Sequence, residues 1–401
     1  MMKYYCLFFF ILFSCYCNGQ KILKGVVSDE QKKPIPGASV FLSNTSIGTS
    51  ADGKGNFDLS LPNGKYDLIV SSIGYETYSQ TITTSTLNDF ISIILKPKSE
   101  QMETVVIEPF EKDGWEKWGK FFLESFIGTS AYVHQCNLKN SKAIRFRNSK
   151  KNNELTAMAL EPLIIENKAL GYRIKYQLET FSYNFKNHYL IYEGFPFFEP
   201  MQGGKGKQKR WEKNRRTVFY GSIMHFMRTV YRNKLSEEGF EIRSLQKVPN
   251  IEKQRVKAIY AKRFSTTSGP HTAKTIDGTD SKDSTAYYEK ILAQKDYFDV
   301  IGQHLLPGDS IAYAIDSTLA GMEFNNYLLV IYSKGEAPVE YSQQFPKSST
   351  AMMSEIQLIN HRPVEIQANG SYYYPTDLFS SGYWAWSEKI ATMLPFDYEV
   401  Q

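Results

Sequence analysis

Cysteine is scarce in this sequence and badly placed for cross-linking. Of 4 cysteines in 401 residues, Cys6, Cys15 and Cys17 crowd the N-terminus. Cleavage after Gly19 would leave Cys136 alone, which excludes a disulfide framework in the mature monomer and makes core burial the source of stability. Cys136 is expected to be a buried, inert thiol rather than a reactive one. Histidine is equally thin. His134, His188, His225, His271, His304 and His361 never fall four residues apart, so the helical zinc signature is missing. Gly-x-Ser-x-Gly does not occur. Gly221-Ser222 and Ser380-Ser381-Gly382 are only fragments of such a nucleophile elbow. His225 follows Ser222 by one turn and reads as a helix residue, not a general base. The Gly-x-x-x-x-Gly-Lys phosphate loop is absent too, because Gly203-Gly204-Lys205-Gly206-Lys207 lacks the flanking strand and reads as a flexible basic loop. Beyond the N-terminus no apolar run reaches the roughly 20 residues a membrane helix needs. These patterns call for neither a metal nor an organic cofactor.

What is present begins with an export signal. Lys3 supplies a positive start, Leu7-Phe8-Phe9-Phe10-Ile11-Leu12-Phe13 a short apolar stretch, and Cys17-Asn18-Gly19 a small-residue cleavage point. Residues 1–19 are therefore expected to be a signal peptide. A lipoprotein signal ending at Cys15 is the rival reading, with bulky Phe13 counting against it. The net charge of +5 is small for the length. Aromatics reach 14%, with 27 Tyr and 26 Phe, a composition that suits pleated, half-buried surfaces.

Residues 20–98 show short alternating strands punctuated by turns. Pro34-Ile35-Pro36-Gly37-Ala38 and Asp52-Gly53-Lys54-Gly55 are turn chemistry. Phe57, Leu59 and Leu61 share one face, as do Tyr66, Leu68 and Val70. This spacing predicts a small all-β sandwich. The succession Gly25-Val26-Val27-x-Asp29, Pro36-Gly37-Ala38-x-Val40, Asp52-Gly53-x-Gly55-x-Phe57, Tyr66-x-Leu68 and Gly74-Tyr75 resembles the carboxypeptidase regulatory-like domain. The resemblance implies a seven-stranded, transthyretin-like sandwich that serves as an accessory module without zinc or catalytic residues. Gln101-Met102-Glu103-Thr104-Val105-Val106-Ile107 is similar to the energy-coupling segment that follows this domain in TonB-dependent outer-membrane receptors. No plug or barrel follows, so residues 99–112 are read as a linker strand.

Residues 113–401 read as one α+β module built on antiparallel sheet, which makes the whole chain mainly β with some α. Trp115, Trp118, Phe121, Phe122 and Phe126 recur at helical spacing over 113–126. Tyr172, Ile174, Tyr176 and Leu178 alternate with polar residues in a long strand over 172–185, with 188–192 as its hairpin partner. Residues 217–235 carry a helical pattern, 265–284 a polar loop, and short strands follow. Glu161, Glu166, Glu179, Glu193 and Glu199 lie on or beside strands and read as solvated sheet-face charges. Phe126-Ile127-Gly128-Thr129-Ser130, Gly382-Tyr383-Trp384 and Leu394-Pro395-x-Asp397-Tyr398 resemble the C-terminal part of Gram-negative envelope proteins that pair this sandwich with one larger module. That resemblance implies architecture and no activity.

Lys205, Lys207, Lys209, Arg210, Lys213, Arg215 and Arg216 crowd around Trp211, with Glu212 the only acid. Export disfavours nucleic acid as the partner. An anionic lipid or an acidic glycan fits the charge, and an indole can stack on sugars or sit at a membrane interface. The expectation is a non-catalytic envelope binding or scaffolding protein, recognising glycan, peptide or an outer-membrane receptor. The alternative is an envelope peptidase or glycosidase with a dispersed site.

Overall fold

The computed structural model describes residues 21–98, 109–265, 282–346 and 350–400. The signal segment, the 101–107 strand, most of the 265–284 loop and His271 lie outside them. Seven strands come first: β1 (Lys21–Asp29), β2 (Ser39–Leu42), β3 (Gly48–Ser50), β4 (Asn56–Leu61), β5 (Lys65–Ser71), β6 (Tyr78–Thr83) and β7 (Phe90–Leu95). The alternation in β4 buries Phe57, Leu59 and Leu61 and wets Asp58 and Ser60, as a two-residue period requires. Two sheets result, ordered β4-β1-β7 and β3-β2-β5-β6. Leu23, Val27, Leu42, Leu68 and Ile93 close the core between them. The expected seven-stranded arrangement is present.

Next come α1 (Gly114–Phe126), β8 (Cys136–Leu138), β9 (Ile144–Ser149), β10 (Glu154–Ala159), β11 (Leu163–Asn167), β12 (Tyr172–Asn184) and β13 (Tyr189–Pro200). They form one antiparallel sheet in which β12 is flanked by β11 and β10 on one edge and by β13 on the other. Tyr172, Ile174, Tyr176 and Leu178 are all buried. The helix lays Phe122 and Phe126 onto that face, with Phe122 4.8 Å from the Phe181 ring. Cys136 sits beside this core, and burial pushes its thiol up to about 12, so it stays protonated and unreactive at neutral pH.

The remaining helices are α2 (Lys205–Phe219), α3 (Ile223–Tyr231), α4 (Leu235–Glu238), α5 (Ile251–Ser265), α6 (Lys282–Leu292), α7 (Val339–Gln344) and α8 (Tyr383–Ser387). The strands are β14 (Phe240–Pro249), β15 (Tyr297–Ile301), β16 (Ala312–Ala314), β17 (Leu319–Met322), β18 (Tyr327–Glu336), β19 (Ala351–Leu358), β20 (Val364–Gln367), β21 (Tyr372–Tyr373) and β22 (Leu378–Gly382). Two antiparallel sheets form, β15-β14-β18-β19-β22 and β16-β17-β20-β21. Phe226 and Met227 of α3 join Trp384 of α8 in the core they share.

Two readings are corrected here. The basic stretch from Lys205 is a helix and not a flexible loop. Lys, Arg, Gln and Glu are good helix formers, and Trp211, Arg215 and Phe219 at four-residue spacing give it a face to dock. The helical pattern over 217–235 is two helices, broken where Gly221 adopts a positive φ of 81° and Ser222 caps α3 by accepting from the His225 N–H at 3.1 Å. Helix α5 carried no clear apolar stripe and went unforeseen.

After α8 the chain threads between all these layers. The Ile390 and Ala391 N–H groups donate to Phe126 and Ile127 carbonyls at 3.2 and 3.0 Å, and Phe396 N–H donates to Asn44 O at 2.7 Å. The sandwich is clamped from the other side as well. Lys65 N–H donates to Gln367 Oε1 at 2.7 Å, and Gln367 Nε2 returns a bond to Lys65 O at 2.8 Å. An ion pair from Lys65 to Glu365 at 2.6 Å adds to this contact.

Candidate functional site

Where the sandwich, the β12–β13 hairpin, the β20–β21 hairpin and the C-terminal tail converge, they enclose a cavity of about 490 Å³. The size falls in the range of small-molecule sites. From the sandwich come Tyr66 and Asp67, from β12 and β13 Tyr176, Glu179, Tyr192 and Glu193, from β21 Tyr372 and Tyr373, and from the tail Glu388, Thr392 and Phe396.

Backbone geometry sets these groups. The β12–β13 register slips between Leu178 and Thr180, so that Glu179 has no partner across the ladder. A bulge of this kind re-aims a side chain out of the sheet. Gly194 faces the slip, and a Cβ there would meet Gln177 O at 2.2 Å and Tyr176 Cε1 at 2.5 Å. Gly194→Val is therefore expected to lower stability by about 2 kcal/mol or more through forced strand separation. Urea unfolding checks this, and an unchanged midpoint would refute the packing role. Tyr176 and Tyr192 pack edge-on against Phe126 at 4.9 and 5.3 Å, and the Tyr192 hydroxyl donates to Glu388 O at 3.0 Å.

Glu388 is half-buried at the base of the tail. Its Oε1 accepts from the N–H of Ile223 at 2.9 Å, the first residue of α3, where the helix dipole favours negative charge. Desolvation nevertheless wins and raises its carboxyl to about 7, against lowering by that hydrogen bond and by Lys389. Burial likewise draws the Lys389 ammonium down to about 8. The same desolvation lifts the hydroxyls of Tyr192, Tyr372 and Tyr373 far above the ordinary phenol value, so all three stay neutral.

The residues singled out from sequence lie elsewhere. On α2, Lys205, Lys207, Lys209, Arg210, Lys213 and Arg216 are exposed on the outer face. Trp211 is not available to stack on a sugar. It is 3% exposed, its indole N–H donates to Lys168 O at 2.9 Å, and its ring covers Gly171, where a Cβ would meet Trp211 Cδ2 at 2.3 Å. Arg215 is also turned inward. Its Nε donates to Leu170 O at 2.7 Å and its guanidinium lies 4.1 Å from the Tyr172 ring centre. Both residues dock α2 onto the β11–β12 turn. His225 is 3% exposed among Phe219, Tyr220, Phe240 and Tyr332, and burial lowers its imidazole to about 4. Ser222 and His225 are thus cap and core. Among the described residues no group of three His, Cys, Asp or Glu side chains could hold a metal.

In the sequence Glu179 and Glu193 read as sheet-face charges, and no motif marks Glu388. A carboxylate one residue beyond a Tyr-Trp-Ala-Trp-Ser helix was the one signal on offer, since such a helix must bury its surroundings.

The two N-terminal sheets define a β-sandwich, and residues 23–107 match the CarboxypepD_reg-like domain. That part of the chain is similar to the TonB-dependent receptor SusC of Bacteroides thetaiotaomicron, 34% identical over 88 residues, which is 22% of this chain and 8% of the receptor. A TonB-dependent receptor of Formosa agariphila is 32% identical over 101 residues, 24% of this chain and 9% of that one. The match thus spans less than a tenth of either receptor. Two solved structures overlap more loosely. A DUF3823 family protein from Bacteroides ovatus is 14% identical over 47% of this chain and 83% of its own, with a TM-score of 0.14. A membrane-associated protein of unknown function from Bacteroides fragilis is 9% identical over 86% and 93%, with a TM-score of 0.17. At these scores neither overlap bears on the fold.

Proposed function

We propose that this chain is a non-catalytic binding protein of the cell envelope, and that the cavity around Glu388 is its ligand site. One observation carries the reading. The sandwich, the β12–β13 hairpin, the start of α3, β21 and the C-terminal tail each contribute a wall to one tyrosine- and carboxyl-lined cavity, and the sandwich is held there by paired hydrogen bonds instead of hanging free. The N-terminal export signal and the receptor relatives support an envelope location. The receptor relatives also support an outer-membrane receptor as partner, and the reading takes residues 20–98 and 113–401 as the two units with 99–112 as their linker. A hydrolase reading has one supporting feature, since a carboxyl near 7 suits a general acid. Against it, the Glu388 Oε1 accepts from the Ile223 N–H, which ties this carboxyl to the start of α3 instead of pairing it with a second carboxyl. Incubation with short peptides and oligosaccharides, followed by native mass spectrometry and product analysis, tests the proposal. Retention of intact ligand is expected, and catalytic cleavage that disappears in Glu388→Gln would overturn it.

The outer face of α2 supports a second contact, with an anionic lipid or glycan. Its first turn carries Lys205 and Lys207 and no acid, a cationic cluster at the end of the helix that repels cations. With about 1 kcal/mol for each cation at an anionic surface, replacing Lys207, Lys209, Arg210 and Lys213 by Gln is expected to cut low-salt co-sedimentation with phosphatidylglycerol vesicles at least ten-fold. Unchanged sedimentation would sink this contact. Trp211 and Arg215 are left intact because their loss would unfold the helix dock.

A further inference from the structure

We infer that the cavity takes an organic primary ammonium carried on an apolar or aromatic stem. This rests on the cavity being a ligand site, as proposed above.

The sign of the lining decides the class. Asp67, Glu179, Glu193 and Glu388 line the cavity, and no Lys, Arg or His does. Glu179 is exposed and Asp67, Glu193 and Glu388 are half-buried, so negative charge lines the cavity as well as its rim. Low-dielectric walls of one sign concentrate the opposite charge. An anionic ligand would meet repulsion from four acids. A neutral hydroxyl or amide ligand could donate to the carboxylates but would leave their charge uncompensated. A primary ammonium supplies three N–H donors. The aromatic lining points the same way, because tyrosine rings attract cations and bury an apolar stem. Tyr66, Tyr176, Tyr192, Tyr372 and Tyr373 provide that surface. The rings already show the behaviour at the cavity edge, where Lys65 Nζ lies 4.8 Å from the centre of Tyr373.

Binding by this route is coupled to protons. The groups that face Glu388 are the Ile223 N–H of α3, Tyr192 of β13, Tyr372 of β21, Tyr383 of α8 and Lys389 beside it. The three phenols stay neutral near pH 7, leaving Lys389 as the one competing cation, with its Nζ 5.3 Å from the Tyr192 ring. Only ionised Glu388 attracts an ammonium, so affinity should rise as pH climbs through neutrality.

Calorimetric titration of the full mature chain tests this with phenethylamine, phenethyl alcohol, phenylpropionate and maltotriose. The amine stays charged across the range used. At about pH 8 it is expected to bind at least ten-fold more tightly than the alcohol, and the acid not to bind measurably. The preference should shrink severalfold at about pH 6. It should shrink in Glu388→Gln, which keeps the oxygen that accepts from Ile223, and should no longer change between about pH 6 and about pH 8. Glu193→Gln on the rim, a milder change for folding, should lower amine affinity with a smaller pH effect. Equal or tighter binding of the alcohol or the acid would overturn the inference. Binding of maltotriose with no amine preference would overturn it while leaving the cavity a ligand site. Silence from all four probes would overturn both.

Discussion

Raising the pH from about 5 to about 8 is expected to remove about 3 kcal/mol of stability through Glu388, and Glu388→Gln to abolish that loss. The side chain is half-buried, with an ordinary value of 4.5 and a folded value near 7. Below the unfolded value both states hold the proton, and the group costs nothing. Between the two values the unfolded chain releases its proton while the folded chain keeps it, so unfolding gains ground. Above the folded value the cost is complete and constant. Gln mimics the protonated acid and retains the hydrogen bond from Ile223, so its stability should not fall in this window. Denaturant unfolding of both proteins across the range checks this. Titrating groups other than the adjacent Lys389, whose ammonium Glu388 favours, cancel in the difference between the two curves, and parallel curves would show that Glu388 is solvated. The same burial that weakens the fold is what makes the carboxyl responsive to a bound cation.

Arg228→Ala is expected to cost about 3–5 kcal/mol and to release the C-terminal tail. Arg228 is 3% exposed. Its Nε donates to Asn369 O at 2.8 Å, and its Nη2 donates to Phe396 O at 3.1 Å and Tyr398 O at 2.8 Å. The guanidinium also rests 5.2 Å from the Phe219 ring centre. One side chain on α3 therefore pins the β20–β21 turn and the tail together. Truncation leaves three carbonyls without that donor and opens a void in the core. Arg228→Lys should recover little, because an ammonium cannot fork across three acceptors. Because the tail carries Glu388, Thr392 and Phe396 into the cavity, ligand binding should weaken along with stability. Limited chymotrypsin digestion reports the tail directly, through cleavage at Phe396 or Tyr398. Protection equal to that of the wild type would contradict the pinning role.

Much of the fold was legible because it is local. The period-two runs over Phe57, Leu59 and Leu61 and over Tyr172, Ile174, Tyr176 and Leu178 fix which strand faces are buried. The aromatic spacing from Trp115 to Phe126 fixes α1. The basic run misled because charge density alone does not report direction. Arg215 and Trp211 sit among exposed cations in sequence, yet helical periodicity turns them onto the β11–β12 turn. Helix α5 was illegible because its apolar stripe is weak. The cavity was illegible because its acids come from positions as far apart as Asp67, Glu179 and Glu388.

The amino-acid sequence by itself determined the two-sheet appendage, its CarboxypepD_reg-like character, the long hairpin behind it and the scarcity of zinc- and serine-type chemistry. Those features depend on neighbours a few residues apart, where turn chemistry and periodicity act directly. Only the tertiary structure decided where the carboxyls meet, which cations face outward and that Glu388 holds its proton near neutrality. Each of these depends on desolvation, and desolvation is set by what packs around a group from the rest of the chain.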